Sequence, residues 1–216
     1  VKRKDNKNKF TTASIFKKKG YKVNYLYGGD AFFDNMESFF GGNGYNIIDK
    51  KTFTQSEISF ANVWGVCDED MAKKAIQTMN ADAKTGKPFF SHWMTVSNHR
   101  PFTYPNNKID IPGDASSAGK IELPLDKYRI PAFIYNPSKP KAVKYTQLMS
   151  QIDIMPTVFG LLHFDYKSKF YGQNVLQPNY QPRAFIATYQ DLGLIKEQVL
   201  TILSPKQKVK QFDLKM

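Results

Sequence analysis

The sequence is poor in cysteine and lacks long apolar runs. Its single cysteine, Cys67, excludes an internal disulfide and a multi-cysteine metal site. No apolar run of roughly 18 or more residues occurs, so no membrane-spanning helix is predicted. The basic residues 2–4 are not followed by an apolar segment, so no signal peptide is predicted either. The chain starts at Val1 rather than at a methionine, and we expect it to be part of a longer polypeptide.

Acidic residues are scarce relative to basic ones. The sequence has 31 Lys and Arg against 19 Asp and Glu, a formal net charge of +12. Such a balance favours anionic partners, either nucleic acid or an anionic lipid surface. No helix-turn-helix, zinc-finger or aromatic-plus-glycine RNA-binding motif occurs. We therefore expect no nucleic-acid partner, and the sequence leaves the oligomeric state open.

Motifs that would specify a reaction by themselves are also missing. The sequence has no cluster of carboxylates and histidines with metal-ligand spacing. It has no Gly-x-Ser-x-Gly elbow and completes no dinucleotide-binding or P-loop pattern, although Gly28-Gly29 follows a predicted strand. The residues alone therefore do not specify a reaction.

Hydrophobic periodicity predicts an α/β fold with a largely parallel sheet. A hydrophobic content of 41% is enough for a folded core. Asp68 is predicted to cap a helix whose apolar stripe is formed by Met71, Ala75, Ile76, Met79 and Ala83. Alternation of strands and helices at this spacing is typical of α/β proteins. Strands are predicted at 21–27, 45–48, a buried 89–96, 129–135 and 184–189, helices at 11–19, 146–151 and 156–162, and an antiparallel hairpin at 194–213.

His99 is the histidine best placed for a binding site. Ser97-Asn98-His99-Arg100 directly follows the predicted buried strand 89–96, at the strand end where α/β folds place ligands. These side chains offer several donors suited to phosphate oxygens. His92 lies inside the apolar strand and is predicted to be a core histidine, whereas His163 is predicted to cap a helix end.

Five short segments occur in one order along the chain. They are Tyr27-Gly28-Gly29 with Phe33-Asp34-Asn35-Met36, Trp64-Gly65-Val66 with Asp68-Glu69, Pro88-Phe89-Phe90 with Ser97-Asn98-His99, Ala115 to Lys120 with Tyr128-Arg129-Ile130-Pro131, and Asp153-Ile154-Met155-Pro156-Thr157. Each segment alone is a weak signal, but the ordered set is specific. Together they resemble the lipoteichoic acid synthase-like phosphoglycerol transferases, which belong to the sulfatase family of the alkaline phosphatase superfamily.

The resemblance implies an alkaline phosphatase/sulfatase-like α/β/α sandwich, here incomplete, with a largely parallel sheet and a C-terminal antiparallel hairpin. It implies a single domain over residues 1–216 on the extracytoplasmic, periplasmic side of the bacterial cytoplasmic membrane. The implied activity moves glycerol phosphate from phosphatidylglycerol, or a similar anionic lipid, to a cell-envelope acceptor. A Thr nucleophile and a divalent metal, expected to be manganese, carry it. A sulfatase-like phosphodiester or sulfate ester hydrolase and a non-catalytic remnant that binds anionic head groups are the alternatives.

The resemblance also assigns site residues. His99 matches the family's substrate-binding histidine, with Asn98 beside it, and Asp34 falls near substrate-contacting Trp and Arg residues of lipoteichoic acid synthases. No catalytic or metal-binding residue of the family is matched. We expect the nucleophile and the first metal carboxylate upstream of Val1. The family's Asp-His metal pair is expected directly before Ala115, where Ile111-Pro112-Gly113-Asp114 stands, so we expect a segment to be missing between Asp114 and Ala115. Its loss would explain why residues 97–128 show no convincing helix or strand.

Overall fold

The computed structural model of the chain describes residues 1–99, 103, 105, 125–139 and 141–214. Within it the chain divides into a first unit, Val1–Ala118, and a second unit, Gly119–Met216. The predicted single domain over 1–216 stays a prediction, and the predicted junction between Asp114 and Ala115 lies outside the described residues. No helix among the described residues is long and apolar enough to cross a membrane.

The first unit is built from alternating helices and strands. Gly20, in the left-handed conformation at φ +82°, follows the first helix and ends it. The elements are α1 (Thr12–Lys18), β1 (Lys22–Tyr27), α2 (Met36–Gly42), β2 (Asn46–Ile48), β3 (Ala61–Asn62), β4 (Gly65–Val66), α3 (Asp68–Ala83) and β5 (Phe89–Met94), with short 3-10 helices at Phe33–Asn35, Lys50–Thr52 and Gln55–Glu57.

A parallel sheet of three strands lies at the centre of the first unit. β1 lies between β2 and β5 and pairs with both in parallel. Val23 to Tyr27 are all buried, so both faces of β1 are covered, as is usual when helices connect parallel strands. The predicted α/β arrangement with a parallel sheet is confirmed.

The apolar stripe of α3 is narrower than the sequence predicts. Met71 and Ala75 are buried in a cluster with Leu26, Ile48 and Val66, and Met79 packs against that cluster. These three helix positions are four residues apart and therefore share one face. Ile76 comes one residue after Ala75, which turns it about 100° away, and its side chain is 55% exposed.

β5 is shorter and more exposed than the predicted buried strand over 89–96. Among the described residues it pairs only with β1, so one edge and part of its surface remain open. His92 is exposed, although its ring packs edge-on against Tyr25 at 5.4 Å between centroids. The prediction of a core histidine is therefore wrong, because full burial at this position requires a neighbour on the open side, although partial burial lowers the pKa of His92.

The second unit contains an antiparallel sheet and one α-helix. Its strands pair in sequence order, so the hairpin predicted at 194–213 belongs to a sheet of four strands. Glu197 and Gln198, both with positive φ, form the turn between its second and third strands. The elements are α4 (Ile154–Leu161), β6 (Arg183–Ala187), β7 (Leu192–Lys196), β8 (Val199–Ser204) and β9 (Lys208–Asp213), with 3-10 helices at Leu125–Tyr128 and Gln151–Asp153.

Two predicted elements of the second unit do not form. Residues 129–135 adopt neither helix nor strand, and Phe133 and Tyr135 are largely exposed. A strand forms only when its backbone groups find partners on a neighbouring strand, and no strand of the described residues pairs with this segment. The helix predicted at 146–151 is also absent; helical structure begins at Gln151.

A buried ion pair organises the second unit. The carboxylate of Asp153, whose side chain is 1% exposed, accepts two hydrogen bonds from the Arg183 guanidinium at 2.6 and 2.8 Å. It also accepts the backbone N–H groups of Ser150 and Gln173. Burial alone raises the pKa of Asp153, but the bonds from Arg183 and the two amides outweigh it and lower this pKa. One carboxylate therefore joins the start of α4 to β6 and to the segment before it.

We expect Arg183→Met to destabilise the second unit by about 3–5 kcal/mol, because the substitution leaves a buried carboxylate without its counter-charge. Urea unfolding measures the loss. The control is Lys196→Met, which removes an ammonium paired with the exposed carboxylate of Glu197 at 3.5 Å and should cost less than about 1 kcal/mol. Equal losses for the two variants would contradict the assigned role of the pair.

Candidate functional site

Three loops of the first unit meet where β1 and β5 end. The two strands are in register, with Tyr27 opposite Met94, so the chain leaves both at the same level of the sheet. The loop after β1 contacts β4 through the bond from the Val66 N–H to the Gly28 carbonyl at 2.9 Å. The third loop, which follows β5, carries His99. This end of a parallel sheet is where α/β proteins bind ligands.

Close packing at Gly28 brings the first two loops together. A Cβ added to Gly28 would lie 2.8 Å from the Val66 carbonyl oxygen and 3.0 Å from Val96 Cγ2. Any larger residue would separate β4 from the end of β1. Gly28 is therefore required by close packing against the Val66 backbone and the Val96 side chain.

Asp68, the first residue of α3, holds the loop that carries His99. Its carboxylate accepts the backbone N–H groups of Val96 and Ser97 at 2.7 and 3.1 Å, and Ser97 Oγ accepts the Asp68 N–H at 3.0 Å. The sequence predicts Asp68 as the N-cap of this helix, which is wrong. Cys67 occupies the N-cap position, and the Asp68 carboxylate binds a loop that lies 28 residues further along the chain.

Asp70 holds the β3–β4 hairpin from the same helical turn. Its carboxylate accepts the backbone N–H groups of Ser59 and Phe60 and the hydroxyl of Ser59. Burial alone raises the pKa of Asp70, but these bonds and the Cys67 thiol outweigh burial and lower the pKa to about 2. The first turn of α3 thus fixes two loops, through Asp68 the one that carries His99 and through Asp70 the one that leads to Trp64.

His99 lies on an exposed turn and contacts Trp64. The turn is closed by the bond from the His99 N–H to the Val96 carbonyl at 2.9 Å. The imidazole and the indole of Trp64 lie 4.0 Å apart between ring centroids. Asn98 is exposed beside it. The structure places His99 and Asn98 at the carboxyl end of β5, and the substrate-binding role assigned to them stays a prediction.

Asp34 belongs to the same end of the sheet but is engaged differently. Its carboxylate pairs with the Lys2 ammonium at 3.0 Å. Phe33, its neighbour, packs edge-on against Trp64 at 5.5 Å, so an aromatic chain runs from the Asp34 loop to His99. Burial raises the pKa of the Tyr27 hydroxyl, and the charges of Asp34 and Asp30 raise it further.

Trp64 is the residue of this site that sequence reasoning missed. It stands in one of the segments that carry the family resemblance, but nothing in its spacing indicates that it would contact His99, 35 positions later. The sequence signal is the glycine at position 65. In the structure its φ of +148° lets the chain turn back directly after Trp64.

The described residues do not form a metal centre. In residues 1–99, 103, 105, 125–139 and 141–214, no group of three or more His, Cys, Asp or Glu is arranged to hold a metal ion. Of the described carboxylates at this end of the sheet, Asp68 binds backbone amides and Asp34 pairs with Lys2. The described residues therefore do not fit the divalent metal that the resemblance implies.

Comparison with known proteins gives consistent matches. The Sulfatase family model matches residues 4–115. Lipoteichoic acid synthases from Staphylococcus aureus strains USA300 and MRSA252 are 29% identical over 123 residues, covering 55% of this chain. The matched region spans only 18% of the length of these synthases.

Two solved structures are similar to this one. A protein of the alkaline phosphatase superfamily from Vibrio parahaemolyticus is 28% identical, with a TM-score of 0.85 over 99% of this chain and 65% of that chain. A lipoteichoic acid synthase from Listeria monocytogenes is 19% identical, with a TM-score of 0.67 over 95% of this chain and 68% of that chain, a likeness of fold alone. These similarities confirm the predicted fold class.

We expect Asp68→Ala to loosen the turn that carries His99. The Val96 and Ser97 amides lose a charged acceptor, so their hydrogen exchange should accelerate about tenfold or more, with a loss of about 2 kcal/mol in unfolding free energy. Exchange followed by NMR measures this. Glu69→Ala is the control, because that neighbouring carboxylate lies 3.9 Å from Lys73 and is half exposed. Unchanged exchange at Val96 and Ser97 would refute the role of Asp68.

The lowered pKa of Asp70 predicts that the folded protein loses stability in acid. Because its folded pKa of about 2 is depressed from 3.8, its contribution is fully present above about pH 4 and is lost as the pH falls through about 2. The contribution is about 2 kcal/mol. Urea unfolding of wild type and Asp70→Asn between pH 5 and 2 measures this contribution. The difference in unfolding free energy between the two proteins should become smaller in acid. A gap that stays constant over this range would be inconsistent with the depressed pKa.

Proposed function

Because the chain belongs to the sulfatase family, we propose that it forms part of a phosphoglycerol transferase similar to lipoteichoic acid synthase. The proposed donor is phosphatidylglycerol or a similar anionic lipid, and the proposed acceptor is a component of the cell envelope. The proposed location is the extracytoplasmic side of the bacterial cytoplasmic membrane. The support is the family match over residues 4–115 together with relatives named lipoteichoic acid synthase.

The observation that carries the proposal is the placement of His99. Its imidazole lies on an exposed turn at the carboxyl end of β5. The Asp68 carboxylate binds the backbone of that turn, and the Trp64 ring contacts the imidazole. An imidazole N–H is a suitable donor to a phosphate oxygen. The neighbouring indole offers an apolar surface to the carbon atoms of a glycerol group. In our proposal His99 binds the phosphoglycerol group and Asn98 adds a carboxamide donor.

The remaining parts of the reaction lie outside the described residues in this proposal. They are the Thr nucleophile and the divalent metal, proposed to be manganese, which polarises phosphate oxygens when bound. Since the described residues do not fit the metal, we assign this chain binding and orientation only. Orientation is nonetheless a large contribution to catalysis, because a positioned donor acts only when it is aimed at the charge that develops in the transition state.

His99→Ala in the complete enzyme should lower kcat/KM for phosphatidylglycerol by about 30-fold to 1000-fold. This equals about 2–4 kcal/mol, the usual cost of removing one donor to a developing oxyanion. Release of diacylglycerol from a fluorescent phosphatidylglycerol measures turnover, and thermal unfolding should change little because His99 is exposed.

The control is His163→Asn. His163 is also exposed, but it follows α4 with a φ of +53°, where asparagine is tolerated and alanine would be strained. Its turnover should match wild type. Full activity of His99→Ala would refute the site, and release of free glycerol phosphate without transfer to an acceptor would favour the hydrolase alternative.

A further inference from the structure

Apolar side chains project into solvent beside the candidate site. Phe32 is 78% exposed, Phe33 47% and Val63 84%. They sit on two different loops, the one after β1 and the β3–β4 hairpin, which are joined by the contact of Phe33 with Trp64. We call Phe32, Phe33, Val63 and Trp64 the apolar rim. Single exposed apolar residues are common, but a connected group of them at a candidate binding site indicates an interaction surface.

The backbone holds the Phe32–Phe33 tip outward. Asp34 and Asn35 are consecutive residues in the left-handed conformation, with φ of 52° and 62°, which Asp and Asn adopt more readily than other residues apart from glycine. Hydrogen bonds stabilise this shape. The Phe32 N–H donates to Asp30 Oδ1 at 2.9 Å, and Asn35 Nδ2 donates to the Arg3 carbonyl at 3.3 Å. These bonds therefore hold the loop in a conformation that exposes Phe32.

Lysine ammonium groups flank the tip on both sides. Lys51 pairs with Asp30 at 3.0 Å, and Lys2 pairs with Asp34 at 3.0 Å, while both lysine side chains remain more than half exposed. Residues 30–37, which contain the tip, have three acidic residues and no basic one, but the excess of basic residues in 1–9 and 50–52 is larger. Together these segments contain seven Lys and Arg against four Asp and Glu, a net charge of +3.

We propose that the apolar rim docks on an anionic lipid bilayer. Phe32 and Val63 enter the boundary between head groups and acyl chains, and Lys2 and Lys51 lie at the level of the lipid phosphates. The inference rests on the proposed function for the identity of the lipid. Docking of the rim would hold His99, which lies at the same end of the sheet, at the level of the lipid head groups.

The size and shape of the rim favour a bilayer over another macromolecule. A stable protein interface buries about 800 Å² on each partner, which a few side chains on two loop tips do not provide. Nucleic acid binding uses aromatic faces on which bases stack, whereas Val63, the most exposed side chain of the rim, is aliphatic.

Vesicle sedimentation tests the proposal with the full 216-residue chain. We expect binding to vesicles of equal parts phosphatidylglycerol and phosphatidylcholine, and at least tenfold weaker binding to phosphatidylcholine alone or in high salt. Phe32→Ser with Val63→Ser should weaken binding to the mixed vesicles about tenfold or more. The control, Ile76→Ser, removes a comparably exposed side chain that lies eight residues along α3 from Asp68, about 12 Å away, and should bind like wild type.

The outcomes separate this inference from the proposed function. Wild-type binding by the double variant, or binding to an oligonucleotide that excludes the vesicles, would overturn the docking surface while leaving the His99 assay unaffected. Tenfold weaker binding by the double variant, with unchanged thermal unfolding, would support the docking surface even if the complete enzyme transferred no glycerol phosphate.

Discussion

Two carboxylates on the first turn of α3 determine the geometry of the candidate site. Asp68 accepts the amides of the loop after β5, and Asp70 accepts those of the segment that enters the β3–β4 hairpin. Acidic residues suit a helix N-terminus because the macrodipole favours negative charge there. In this protein the two carboxylates at the helix N-terminus also accept hydrogen bonds from the backbone N–H groups of two loops. Those N–H groups would otherwise lack these partners. His99 and Trp64 come into contact because both loops are held by one helical turn.

In the second unit a buried carboxylate likewise joins distant segments, but one of its partners is an arginine. Asp153 accepts two backbone amides and adds a bidentate bond from Arg183. A buried carboxylate is unfavourable unless such bonds replace its water shell. In both units a buried acid therefore joins segments that are distant in sequence, and neither Asp70 nor Asp153 needs to take part in chemistry to be indispensable to the fold.

The site is closely packed at its base, and its edge is exposed. Its base consists of Gly28, which permits close backbone packing, and of the amides held by α3. Its rim exposes His99 on one loop and apolar tips on two others, beside lysines. An enzyme that acts on a lipid head group must recognise a charged group at the edge of an apolar phase. In the proposed function, the closely packed base and the exposed apolar and basic side chains beside it would meet that requirement.

The sequence by itself determined the elements whose signals are local. The period of 3.6 predicts α3, the alternation of Val23, Tyr25 and Tyr27 predicts β1, and the polar segment after residue 96 indicates where His99 lies. It did not determine which strands are covered: β5 is half exposed and residues 129–135 form no strand, because a strand depends on partners that its own residues do not encode. Tertiary structure alone decided that Asp68 binds Val96 and that Trp64 meets His99. Those contacts join residues about 30 positions apart, and only the packing of α3 against the sheet brings them within hydrogen-bonding distance or ring contact.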